Sequence, residues 1–251
     1  MTKRLSLFAL PLFGLLLAAV LPLAAFAEEG PELLEANTHM NDQPSLQRGA
    51  ALFMNYCSGC HSLQYQRYSR IGEDLGLTED EVTKNFVFTG AKVGEHINVA
   101  MNPNDAAAWF GKTPPDLSLE GRSRGPDWIY TYLHSFYVDE SRPLGWNNTL
   151  LPNASMPNVL WQLQGLQRPV MGKGPDGQPS VESLLLADKD KGTLDPEQYD
   201  QAARDISAFL QYVAEPAAMQ RETYGVWVVL FLAFFSFLAY LLKHEYWRDV
   251  H

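Results

Sequence analysis

The stretch Phe53-Met54-Asn55-Tyr56-Cys57-Ser58-Gly59-Cys60-His61 governs how the rest of the 251 residues are read, because it holds both cysteines of the chain with a histidine directly behind the second. Cys-x-x-Cys-His is the pattern by which haem c is attached. The spacing has a physical reason: residues i and i+3 share one side of a helical turn, so both thiols can reach the vinyl groups on one edge of a porphyrin. His61 can then turn its imidazole to the iron. Three other readings compete. A thioredoxin-like redox pair needs a βαβ context, which the flanking sequence lacks. A zinc site needs two further ligands at suitable spacing, and no second Cys or His cluster is present. A disulfide closing across two intervening residues is strained.

Working outward, Leu46, Ala50, Phe53 and Cys57 recur at helical spacing, which predicts a helix capped by Ser45 and leading into the motif, with Gly49 open to a close helix crossing. Thr78 to Glu81 reads as a capping box, with Leu77 and Val82 as its hydrophobic staple. Gly125-Pro126-Asp127 opens a helix carrying Ile129, Leu133, Phe136 and Tyr137. Asp195, Pro196 and Gln198 start another, with Tyr199, Ala202, Ile206, Phe209 and Val213 on one face, expected to pack on the helix before Cys57. Alternating strand patterns are scarce. Residues 139–194 are rich in Pro, Gly and Asn, which predicts long ordered loops around a cofactor with a short hairpin at most. The fold class expected is all-α, a cytochrome c-like haem domain with long loops.

The two ends of the chain are apolar in different ways. Residues 1–27 have a basic start at Lys3 and Arg4, an apolar core broken by Pro11, Gly14 and Pro22, and a closing Ala25-Phe26-Ala27, the pattern of a secretory signal peptide cut after Ala27. An uncleaved N-terminal anchor is the alternative. Residues 223–242 contain no charge, and at about 1.5 Å per helical residue they span about 30 Å, the thickness of a bilayer core. Tyr224, Trp227, Tyr240, Tyr246 and Trp247 sit near the ends of that span, where amphipathic rings prefer the headgroup level. Export of residues 28–222 would put them in the periplasm and leave 243–251 as a cytoplasmic tail, with Lys243 and Arg248 in accord with the positive-inside bias. The chain is therefore expected to cross a membrane once, and the family resemblance given below implies that this is the bacterial cytoplasmic membrane. Of the formal charge of −10, residues 28–222 carry about −12, from 15 basic and 27 acidic side chains. Such a surface repels nucleic acid and attracts basic partners.

The sixth iron ligand separates an electron carrier from a catalyst or gas sensor, because a thioether closes the position and raises the potential while an open position binds small molecules. Of the candidates Met40, Met54, Met101, Met156, Met171 and Met219, the loop residues Met101 and Met156 stand close to proline, an extended context suited to lying along a haem face. His134 competes as a ligand that would give a lower potential. Spacing favours Met156 without deciding it.

Further segments carry a family resemblance. The haem motif is followed by Ser62-Leu63-Gln64-Tyr65-Gln66-Arg67-Tyr68; Thr113-Pro114-Pro115-Asp116-Leu117-Ser118 and Arg122 precede Trp128-Ile129-Tyr130; Met156-Pro157 and a C-terminal anchor complete the set. Over most of residues 28–251 the chain resembles the cytochrome c1 family, the haem-bearing subunits of quinol:cytochrome c reductase (cytochrome bc1) complexes, in its bacterial form. The resemblance implies one covalently attached haem c, with Cys57 and Cys60 as its thioether sites and His61 and Met156 as axial ligands. It implies a propionate contact for Arg122, and a haem crevice lined by Pro114, Pro115 and Leu117. It also implies an electron accepted from a Rieske iron–sulfur protein and passed to a soluble c-type cytochrome, beside a cytochrome b subunit in a dimeric complex. No bond chemistry falls to this chain itself. Two departures concern the haem edge: Met156-Pro157 runs straight to Asn158 without a longer proline run, and Trp128 stands where a tyrosine is common. A free-standing membrane-anchored electron carrier, or the cytochrome c subunit of another respiratory complex, is the alternative reading, with a haem peroxidase or gas sensor a third class.

Overall fold

A long helix that enters the Cys-x-x-Cys-His motif and a longer one that crosses it organise the computed structural model, which describes residues 32–174 and 177–249. The export-signal reading of residues 1–27 lies outside these. Helix α1, Gln43–Tyr56, is capped one turn earlier than the spacing predicts: Asp42 accepts the Ser45 backbone N–H at 3.2 Å, and Pro44 occupies the first turn. Ser45 is not the cap because its hydroxyl is used elsewhere, donating to the buried Asp205 carboxylate at 2.5 Å. Leu46, Ala50 and Phe53 are fully buried on the inner face of α1.

That face meets the helix Pro196–Ala214, whose start is the capping box expected from sequence: Asp195 accepts from Gln198 N, and Gln198 returns a carbonyl oxygen to Asp195 N. Its stripe Tyr199, Ala202, Ile206, Phe209 and Val213 is buried, and the Phe53 and Phe209 rings lie 5.7 Å apart. At the crossing the backbones approach so closely that a Cβ on Gly49 would stand 2.0 Å from the Asp205 carbonyl oxygen. Beside it, Arg48 grips the Asp205 carboxylate through Nε at 2.7 Å and Nη2 at 3.0 Å, so the one buried acid at the crossing is charge-paired and hydrogen-bonded.

Between these two helices the chain forms α2, Tyr68–Asp74; α3, Glu79–Phe86, opened by the Thr78/Glu81 capping box; α4, Pro103–Phe110; the single turn α5, Glu120–Ser123; α6, Pro126–His134; and the single turn α7, Trp161–Gln164. Pro196–Ala214 is α8. The helix α6 stops at His134, so Phe136 and Tyr137, expected on it, belong to a strand. The Ser135 hydroxyl turns back to the Thr131 carbonyl at 2.6 Å, and Asn148 Nδ2 takes the Tyr132 carbonyl at 2.9 Å, which satisfies the last turn and frees the chain to pair.

Three short antiparallel pairs decorate this helical core: β1 (Leu63–Arg67) with β2 (His96–Ile97), β3 (Phe136–Val138) with β4 (Trp146–Asn148), and β5 (Arg168–Lys173) with β6 (Pro179–Leu185). The loop-rich expectation for 139–194 thus resolves into β4, one hairpin and ordered turns. After Ala214 the chain re-enters helix as α9, Ala217–Tyr246, whose stretch Thr223–Tyr246 is long and apolar enough to cross a membrane. The expected span of 223–242 falls inside it. Phe231, Phe234, Phe235 and Phe237 are exposed along its length, as they must be if lipid rather than protein covers them.

Candidate haem site

At the end of α1 the motif continues as a tight turn. Cys57 N donates to Phe53 O, and Cys60 N and His61 N both return to Cys57 O, at 3.0 and 2.9 Å. The two cysteines are therefore brought close by a turn just past the helix, and they are separate thiols. Burial, then the neighbouring Cys60, pushes the Cys57 thiol up to about 12, and burial raises Cys60 as well.

His61 is buried, and its Nδ1 lies 2.7 Å from the Pro115 carbonyl oxygen. A carbonyl can only accept, so Nδ1 carries the ring proton and Nε2 keeps its lone pair. Burial lowers the imidazole's proton affinity, against the Pro115 bond and the charges of Asp116 and Glu120, which favours this neutral form. The proline segment is itself clamped. Asp116 accepts from Gln64 N and Ser118 N, each at 2.9 Å; Ser118 Oγ accepts from Tyr65 N at 3.2 Å; Leu117 N donates to Ser62 O at 3.0 Å. Residues 114–118 and β1 thus hold the imidazole from behind, as outer-shell carbonyls hold metal-binding histidines.

A cavity opens over these groups, walled by Tyr56, Cys57, Cys60, His61, Phe110, Pro114, Pro115, Met156, Pro157 and Val159, with Lys112 and Ser155 also on its lining. It brings together both cysteines, His61, Met156, Pro114 and Pro115. Leu117 packs against the core instead, and Arg122 does not line the cavity: its side chain is 68% exposed with Nη1 3.6 Å from Glu215 Oε1. The other candidate ligands named from the sequence lie elsewhere in the fold. Both nitrogens of His134 are engaged, Nδ1 with Tyr130 O at 2.9 Å and Nε2 with Asp200 Oδ1 at 2.8 Å, and Met101 is absent from the lining.

Met156 reaches the cavity on a loop knotted by asparagines. Asn147 Oδ1 accepts from Asn148 N and Asn153 N, Asn148 Oδ1 from Leu150 N and Leu151 N, and Asn158 Oδ1 from Leu160 N, all within 3.0 Å. These positioning residues escape a motif search; the only hint in the sequence is the density of asparagines between residues 147 and 158.

The donor set, two thiols, an imidazole with a bare Nε2 and a thioether on one apolar-walled cavity, fits haem c, and among the described residues no group of three or more His, Cys, Asp or Glu side chains could hold a metal ion. Fold and site together define a membrane-anchored c-type cytochrome. A model of the cytochrome c1 family matches residues 34–250. The chain is 52% identical to a cytochrome c1 of Allochromatium vinosum, over 92% of this chain and 95% of that one. It is 42% identical to a protein of Nitrosomonas europaea named ammonia monooxygenase gamma subunit, over 84% and 85% of the two chains, and 30% identical to a cytochrome c1 of Rhodospirillum rubrum, over 83% of each. The chain belongs to the cytochrome c1 family, the haem subunits of cytochrome bc1 complexes.

Proposed function

We propose that this chain accepts one electron from a Rieske iron–sulfur protein and passes it to a c-type cytochrome, as the haem subunit of a dimeric quinol:cytochrome c reductase that also contains cytochrome b. The observation that carries this reading is the meeting of Cys57, Cys60, His61 and Met156 on one cavity. Haem c, when bound, supplies an iron that cycles between ferric and ferrous states. Cys57 and Cys60 would tether it as thioethers, while His61 and Met156 would take the two axial positions. Pro115, by accepting the Nδ1–H bond, fixes the ring plane and leaves Nε2 as the nitrogen that would hold the iron. The Met156 thioether would hold the iron from the loop side, where it would raise the potential and exclude small molecules. Pro114, Pro115, Pro157 and Val159 give the site apolar walls, which would limit the solvent that rearranges when the charge changes. Residues 28–222 would face the periplasm after loss of 1–27, with 223–242 crossing the membrane and 243–251 inside.

Met156→Leu keeps the volume and removes the sulfur. The variant should bind carbon monoxide readily and lose its Met-ligated spectrum, while the unaltered protein does neither; carbon monoxide binding by the unaltered protein would count against axial methionine. The resemblance to the ammonia monooxygenase gamma subunit favours a second reading, a cytochrome subunit of another complex. Gentle detergent purification decides between them: a b-type haem and an iron–sulfur protein should accompany the c-type spectrum, and a lone c haem would sink the reductase assignment.

A further inference from the structure

Haem c brings two carboxylates to its site, and the surroundings offered to them are acidic: Asp116 and Glu120 bear on His61, and residues 28–222 carry about −12. Among the described residues, the cavity lining holds one lysine and no arginine. Lys112 stands on the cavity wall directly after Gly111, which ends α4 in the left-handed conformation at φ +78°, and before the Pro114-Pro115 wall. It is exposed, and among the described residues it makes no ion pair or hydrogen bond. Arg122, the expected propionate partner, has Glu215 within 3.6 Å, and that carboxylate is also paired with Arg221. Lys112 is the one Lys or Arg among the described residues on the cavity lining, and neither the haem motif nor the family resemblance singles it out.

We propose that Lys112 is a charge-compensating residue of the haem site, its ammonium group pairing with a carboxylate of the bound haem and holding the reduction potential up. The inference rests on the haem reading above. A cation beside the cofactor disfavours the ferric state, which has one positive charge more than the ferrous, so removing it should lower the potential.

The test is a redox titration of the c-type absorption band in the full-length protein within its native membrane assembly. Lys112→Gln should shift the equilibrium with a reference couple toward the ferric form by about tenfold, about 59 mV for a one-electron couple. Lys112→Arg should restore most of it. Lys84→Gln makes the same change in net charge on α3, in a separate groove with Gln47 and Phe88, and should shift the equilibrium much less. Equal shifts for Lys112→Gln and Lys84→Gln would overturn the proposal, as would a Lys112→Arg variant no closer to the unaltered protein than Lys112→Gln. An unaltered protein with no c-type spectrum would instead overturn the haem reading itself.

Discussion

Gly49 shows how much one residue can settle. Its missing Cβ is what lets α1 and α8 touch, since a methyl group there would stand 2.0 Å from Asp205 O and 2.6 Å from Asp205 C, both backbone atoms that cannot swing aside. The helices would have to separate, loosening the Phe53–Phe209 contact and the Arg48–Asp205 pair on either side of the crossing. Gly49→Ala should therefore destabilise the domain by about 1–3 kcal/mol despite the helix propensity it gains, seen as a lower midpoint in thermal unfolding. An unchanged or raised midpoint would mean that the crossing yields without strain. Openness to a close crossing can be read from a glycine inside an apolar helical pattern; that the crossing partner is the backbone of residue 205 cannot, because nothing local ties positions 156 residues apart.

Among the elements, the loop from β4 to α7 carries the most consequence, for it delivers Met156. Asn147 is its central knot: Oδ1 takes two backbone N–H groups and Nδ2 donates to Asp139 Oδ2 at 2.9 Å. Asn147→Ala should cost about 1–3 kcal/mol by stranding those donors; with Met156 as the proposed haem ligand, the variant should also show fractional carbon monoxide binding. Asp139 gives the same clasp a pH signature. Hydrogen bonds from the Ser141 hydroxyl, then from Asn147, hold its carboxyl below the usual range. A depressed carboxylate stabilises the fold fully above its unfolded value of about 3.9, and the contribution is lost as pH falls through the lower folded value. The midpoint difference between the unaltered protein and Asp139→Asn should thus be full at neutral pH and close below about pH 4; a difference that persists in acid would deny the clasp its charge. Signals confined to four residues, such as the Thr78/Glu81 and Asp195/Gln198 boxes, are legible in the sequence and recur in the structure. The strand pairs and the asparagine knot are not, because each joins residues whose partners are chosen by the fold.

Across the whole molecule, three separate stretches, around residues 56–61, 110–115 and 155–159, converge on one cavity. The motif announced the chemistry of the first stretch, and the family resemblance named residues in the next two; the remainder of the lining, Phe110, Lys112, Ser155 and Val159, becomes visible only when helices and loops are folded together. The anchor behaves oppositely, being legible from composition because a bilayer selects for length and apolarity rather than for specific partners. Its stretch Thr223–Tyr246 is the single candidate span among the described residues, and Phe234 lies near its middle, exposed. An arginine there must reach past several turns to find water, whereas one at Tyr246 can extend its head directly into the interface. Phe234→Arg should accordingly weaken insertion by about 2.5–3.5 kcal/mol and release much of the chain from membranes washed in alkaline carbonate, while Tyr246→Arg stays bound. Equal retention of the two variants would mean that packing against other subunits, rather than the apolar span, holds this cytochrome in the membrane.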